Sequence, residues 1–226
     1  MDELVLRQQM YGFLWALFAG VPDRSLVDAL KDERMQAELA RLLAEVPGAD
    51  RALDRLRICS ADELAEDLAV EYTMLFSAPG AAHVPPNESV YRDNLVVETP
   101  PQPEINYAGS RRVFAGLYWG DSTVAVAGEY DTEGYEVAGE IPDSLGLELG
   151  FMAHLCGRER FFRETGNGLA AEACAYRQAK FLREHLMEWV PTFANRVREK
   201  RPSGFYALAA LLVLRYLESE VGAAVL

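Results

Sequence analysis

The stretch Pro142-Asp143-Ser144-Leu145-Gly146-Leu147-Glu148-Leu149-Gly150-Phe151-Met152-Ala153-His154-Leu155-Cys156 decides the fold. Leu145, Leu149, Met152 and Cys156 recur every three or four residues, and Leu147, Phe151 and Leu155 make a second apolar stripe. A helix apolar on two sides must be covered on both, so it belongs at the centre of a fold built from other helices. Pro142 suits the first turn of this helix.

Working outward, the same period returns. Leu6, Met10, Phe13, Leu14, Leu17 and Phe18 predict an amphipathic helix that ends before Gly20 and Pro22. Ser25 can cap a second helix running to Leu30. Met35, Leu39, Leu42, Leu43 and Val46 predict a third, closed by Pro47-Gly48. Ser60-x-x-Glu63 is a capping box: the serine accepts from a free amide of the first turn and the glutamate reaches back. The helix it opens carries Leu64, Leu68, Tyr72, Leu75 and Phe76 on one face, with Asp62, Glu63, Glu66, Asp67 and Glu71 on the other side.

Glu104 to Leu117 reads as a further helix. Residues 169–190 read as a long one that Pro191 kinks or restarts, and Ser203 to Glu220 as the last. Residues 77–103 hold six of the eleven prolines, so they cannot be regular helix. Residues 119–140, rich in Gly, Asp and Glu, read as a second long loop. Loops of this length in a packed chain are more often functional than accidental. With no strand pattern and no repeat, the expected fold is all-α: a globular multi-helix bundle with two long irregular loops, one domain over residues 1–226.

Half of the 226 residues are apolar and 10% aromatic, enough for a sizeable core. With 22 basic against 35 acidic residues, the net charge of −13 argues against nucleic acid or an anionic membrane surface as partner. The longest apolar run, Phe205 to Leu214, is ten residues, against the roughly 20 needed to span a bilayer. Cys59, Cys156 and Cys174 form no close pair, which fits a reducing cytoplasm, and Met1-Asp2-Glu3 lacks the basic start of an export signal.

The charge is clustered. Between Ile58 and Tyr91 lie six acids and no Lys or Arg, and between Val113 and Gly157 lie eight acids and again no base. The rest of the chain is nearly neutral. Two such windows create a local negative potential that would attract a cationic partner; a merely solvated acidic surface is the alternative. Neither window has EF-hand spacing, and His83, His154 and His185 show no i, i+4 metal pattern, so no metal and no cofactor is expected. His185 with Asp143 and Ser89 makes a poor catalytic set, since Ser89 sits in no nucleophile elbow. No P-loop or dinucleotide fingerprint is present, and the chain reads as a non-enzyme.

Five segments carry a resemblance. The loop Pro85-Pro86-Asn87-Glu88-Ser89-Val90-Tyr91 follows the helix end Glu71-Tyr72-Thr73-Met74-Leu75-Phe76. Downstream stand Ile141-Pro142-Asp143-Ser144-Leu145-Gly146-Leu147-Glu148-Leu149-Gly150-Phe151-Met152 and Phe181-Leu182-Arg183-Glu184-His185-Leu186-Met187-Glu188-Trp189. Phe205-Tyr206-Ala207-Leu208-Ala209 comes last. In order and spacing, the chain resembles the TorD/DmsD family of cytoplasmic redox-enzyme maturation chaperones, to which NarJ-type nitrate reductase assembly proteins are related. One departure stands out: where the family often has Pro-Asp-His, this chain has Pro142-Asp143-Ser144, so the part of that histidine falls to Ser144 or is missing.

The resemblance implies a cytoplasmic, all-helical chaperone that binds the twin-arginine signal peptide of a molybdopterin oxidoreductase and holds the precursor until its cofactor is inserted. A NarJ-like factor for a reductase that is not exported is the alternative. Guanidinium groups want carboxylates in bidentate geometry, and an apolar leader wants a groove between helices. Glu88, Asp143 and Glu148 are the candidates for the arginines, and Tyr91, Phe76 and Trp189 for the apolar segment. Pro86, Ser89, Ser144 and His185, which stand in the matching motifs, complete the candidate peptide-binding set. Ser110-Arg111-Arg112-Val113-Phe114 looks like a twin-arginine motif itself but reads as the polar face of a helix. Either a monomer or a domain-swapped dimer is compatible, with 77–103 or 119–140 as the hinge.

Overall fold

The computed structural model describes residues 3–44, 46, 49–100, 110–116 and 118–223. Its helices are α1 (Glu3–Phe18), α2 (Arg24–Lys31), α3 (Glu33–Leu42), α4 (Ala49–Ile58), α5 (Ala61–Tyr72), α6 (Ser89–Arg92), α7 (Asp121–Glu133), α8 (Leu145–Glu164), α9 (Gly168–Phe181), α10 (Met187–Lys200) and α11 (Phe205–Ala223). Single π-helical turns follow α5 (Thr73–Ser77) and α9 (Leu182–Leu186). The fold is all-α, with one small hairpin inserted between α6 and α7.

α8 takes the central place its two stripes require. It lies along α1 on one side and α9 on the other, and Leu145, Leu149, Phe151, Met152, Leu155 and Cys156 are all buried. Gly146 permits the closest approach. A Cβ there would stand 2.8 Å from Phe18 O and 2.9 Å from Ala19 Cα, so the start of α8 could not meet the end of α1 with a larger residue. Phe18, Tyr72, Phe76, Phe193 and Tyr206 form an aromatic cluster with neighbouring centroids 5.1 to 5.9 Å apart, tying α1, α5, α10 and α11 together.

The capping box at Ser60 forms as expected: Ser60 Oγ accepts from Glu63 N at 3.2 Å, and Glu63 Oε2 accepts from Ser60 N at 3.0 Å. Glu71, expected on the solvated side of α5, is instead buried. It accepts from Phe205 N at 3.1 Å and Tyr206 N at 3.0 Å, capping α11 from a helix far away in sequence.

Several local expectations are corrected. Asp23, not Ser25, caps α2, accepting from Leu26 N at 2.9 Å. Asp32 caps α3, which ends at Leu42; Pro47 and Gly48 lie outside the described residues. α4, a helix absent from the sequence expectations, buries Ala49, Leu53 and Leu56 at helical spacing. Pro142 stands before α8, whose N-cap is Ser144. The long helix over 169–190 forms, as part of a continuous helical run from Gly168 to Lys200 that holds a π-turn at Leu182–Leu186, and Pro191 lies within α10 without ending it. Residues 119–140 are not one irregular loop, for they contain α7, which ends at Gly134 in the left-handed conformation at φ 66°.

The largest correction concerns strands. Asn94–Thr99 (β1) pairs antiparallel with Ser110–Ala115 (β2), in register Val97 with Arg112 and Glu98 with Arg111. Residues 110–115 are therefore not helical, and Arg111 and Arg112 are not the polar face of a helix. Residues 104–109 and 117 of the expected helix lie outside the described residues. The proline density of 77–103 masks the β-branched run Val96-Val97 that precedes Pro100. Strand formation there depends on a partner more than ten residues further along the chain, which no local periodicity reports.

Candidate functional site

The two base-free windows meet through their backbones. Pro85 and Pro86 keep the chain extended before α6, and an isolated antiparallel bridge joins Asn87 to Ser144. Glu88 N donates to Asp143 O at 2.9 Å and Leu145 N donates to Pro86 O at 2.8 Å. This short junction places the entrance of α6 against the entrance of α8, and with it Glu88 beside Asp143 and Glu148.

Each carboxyl has its own partners. Asp143 Oδ2 accepts from Ser89 N at 2.7 Å and from Thr123 Oγ1 at 3.1 Å. Glu88 receives the Arg92 guanidinium, and His185 Nδ1 lies 3.0 Å from its Oε2 and 3.2 Å from its Oε1. Glu148 Oε2 accepts from Trp189 Nε1 at 3.2 Å. Glu88, Ser89, Asp143, Glu148 and Trp189 are 0% exposed and His185 only 7%. Ser89 Oγ, Asp143 Oδ1 and Glu148 Oε1 are buried with no hydrogen-bond partner.

Three carboxyls in one dry place oppose one another. Burial pushes Asp143 up, against the hydrogen bonds of Ser89 and Thr123, and the charge of Glu88 adds to the rise. Burial holds Glu148 well above the usual carboxylate range; Glu88 and Asp143 reinforce this, while the Trp189 N–H opposes it. The neighbouring Tyr130 hydroxyl, which donates to Pro142 O at 3.0 Å, is likewise raised by burial and then by Glu148.

Of the sequence candidates, the structure gathers Glu88, Ser89, Asp143, Glu148, His185 and Trp189 into this cluster. Ser144 is the N-cap of α8, with its Oγ 3.4 Å from Leu147 N, and Pro86 supplies a carbonyl to the junction. Tyr91 is half-buried: it stacks on Trp189 at 5.4 Å, lies under Arg196 at 4.7 Å and donates to Pro85 O at 2.8 Å. Phe76 sits apart from the carboxyls, inside the aromatic cluster, and joins Tyr91 only by way of Phe193. His185 faces Glu88 rather than Asp143, so Ser89, His185 and Asp143 do not form a nucleophile–base relay.

The cluster opens outward into a groove of about 780 Å³ through Arg92 and His185, which line both. Its other walls carry Asp93, Asp121, Glu184 and Glu188 against Arg183. These are the acids a solvent-borne cation would meet first. Arg92 also donates to Glu184 O at 2.7 Å, bridging α6 to the π-turn. Asp93 accepts from Ser122 N at 2.9 Å and Ser122 Oγ at 2.8 Å, which anchors the start of α7. Sequence reasoning missed Arg92, Asp93, Asp121, Glu184 and Glu188. Their signal was position: Arg92 follows the Pro-Pro loop directly, and Glu184 and Glu188 flank His185 on one helical face.

Among the described residues no group of three His, Cys, Asp or Glu is arranged to hold a metal ion. No helix among them is long and apolar enough to cross a membrane.

By its sequence relatives the chain is a redox-enzyme maturation chaperone. The chain belongs to the nitrate reductase delta subunit family, whose sequence profile matches residues 32–195. It is similar to Chaperone protein TorD of Vibrio cholerae, 24% identical over 198 residues that cover 87% of this chain and 76% of the relative. Chaperone protein TorD of Shewanella pealeana is 24% identical over 218 residues, covering 95% and 88%. That of Shewanella piezotolerans is 24% identical over 219 residues, covering 95% and 90%. No solved structure matches the chain.

Proposed function

We propose that the protein binds, in the cytoplasm, the twin-arginine signal peptide of a molybdopterin oxidoreductase precursor and holds that precursor until its cofactor is in place. One observation carries this reading: Glu88, with the carbonyl of Glu184, already holds a guanidinium, that of Arg92. Arg92 fills that corner and Glu88 has no exposed surface, so the peptide arginines would meet the acids in front of it. Asp93, Asp121, Glu184 and Glu188 extend the negative lining outward to a second arginine. The exposed Trp119 and Val124, which flank Asp121 in sequence, offer apolar surface to the leader that follows the arginine pair. His185 is part of the groove wall, and Glu88, Asp143, Glu148 and Trp189 act from behind it, setting its shape.

The nitrate reductase delta subunit profile gives ground for a second reading, an assembly role for a reductase, which we take to act on a subunit that is not exported. Calorimetry on the full chain decides between them. A twin-arginine peptide should bind about tenfold tighter than its Lys-Lys counterpart, because an ammonium cannot make the bidentate contact. Affinity should fall as salt rises. Equal affinity for both peptides rejects guanidinium recognition, and preference for an N-terminal segment without the arginine pair supports the second reading.

A further inference from the structure

A second cavity, of about 460 Å³, lies between α4, α5 and the turn that leads into α11. Its size is within the roughly 300–1,000 Å³ usual for small-molecule sites. The floor is apolar, built from Leu56, Leu64, Leu68 and Leu208. Three guanidiniums line the wall: Arg51, Arg55 and Arg201. In a chain of net charge −13 this is a local reversal of sign.

Two carboxylates share the cavity, and both are engaged. Asp67 pairs with Arg55. Glu71 is held by the Phe205 and Tyr206 amides, an approach that leaves no room for a Cβ at Gly204. The amides at the start of α11 are thus taken, and recognition of an anion falls to the arginines. Arg51 and Arg201 are exposed and make no ion pair among the described residues.

We propose that this cavity binds a small organic anion: a phosphate or carboxylate gripped by Arg51 and Arg201, on a flat apolar body that lies over the leucines. A planar guanidinium takes such a group through two parallel N–H bonds, and the ligand's own apolar face would leave water against a floor whose Leu56, Leu64 and Leu68 are already buried. The site is independent of the peptide groove.

Calorimetry and thermal shift with phenyl phosphate, inorganic phosphate and phenol test it on the full chain. Phenyl phosphate should bind about tenfold tighter than inorganic phosphate, the ring supplying the difference. Arg51→Gln and Arg201→Gln should each weaken it about tenfold. Both side chains are exposed, so the ligand-free melting temperature should not move. Arg34→Gln, an exposed change on α3, should leave binding as it was. No saturable binding of phenyl phosphate, equal affinity for inorganic phosphate, or an equal loss in Arg34→Gln would each overturn the proposal.

Discussion

Trp189 gives its indole N–H to Glu148 Oε2 across 3.2 Å, and neither side chain has any exposed surface. This bond joins α10 to the first turn of the central helix, directly behind the acidic groove. Glu148 Oε1 has no partner, and Glu88 and Asp143 oppose a charge on it. A neutral Glu148 suits this place better than a carboxylate.

That asymmetry fixes a pH dependence. A folded-state pKa above the unfolded value of 4.5 means the native protein keeps a proton that the unfolded chain releases. The stabilisation is complete below that value and is lost as pH rises through the raised one. Glu148→Gln, which is neutral throughout, should therefore flatten the fall in stability toward alkaline pH. At pH 8 it should melt higher by roughly 2–4 °C, corresponding to a gain of about 1 kcal/mol. Urea titrations from pH 5 to 9 measure this; an unchanged slope would mean that Glu148 is not the group responsible.

Glu88 answers to both His185 and Arg92, so its removal takes the carboxylate from His185 Nδ1 and leaves Arg92 with the Glu184 carbonyl alone. Glu88→Ala should cost about 3 kcal/mol of stability. Glu88→Gln, which keeps one acceptor oxygen, should cost less. Chemical denaturation of the two variants separates these values.

Glu71 caps α11 by an interaction far apart in sequence. Glu71→Ala should destabilise by about 1–2 kcal/mol, the range of a lost N-cap. Hydrogen exchange should accelerate first at the Phe205 and Tyr206 amides. Uniform acceleration along the chain would argue against a local cap.

Gly146→Ala should cost about 1–3 kcal/mol through overpacking against the end of α1. Gly128, which has open space around it, is the control. Gly128→Ala, in the middle of α7, should be neutral or stabilising.

Exposed acids of the groove make a different prediction. Asp121→Asn and Glu188→Gln should leave the melting temperature unchanged, yet each should weaken a twin-arginine peptide about threefold at low salt. The difference should shrink at 0.5 M salt. Full affinity in the double variant would place the peptide elsewhere.

Much of this was legible in the chain. The two stripes of α8 placed it in the centre, Ser60 and Glu63 closed their box, and the Pro-Pro loop and the base-free windows pointed at Glu88, Asp143 and Glu148. What failed was non-local. β1 and β2 depend on each other across a connection, Glu71 left its solvated face to serve a helix far down the chain, and α7 hid behind its glycines and acids. Arg92, the guanidinium in the site, drew no notice because its partners lie on α6 and on the π-turn after α9.

By itself the sequence determined the helical class, the central helix, the family and two base-free acidic windows, because periodicity, capping and charge clustering are written over a few turns of chain. Only the tertiary structure decided that Glu88, Asp143 and Glu148 are sealed from water while Asp121, Glu184 and Glu188 face it. Whether a carboxyl is dry depends on which distant segments cover it, and here the Asn87–Ser144 bridge and the packing of α6, α7 and α10 around α8 made that choice.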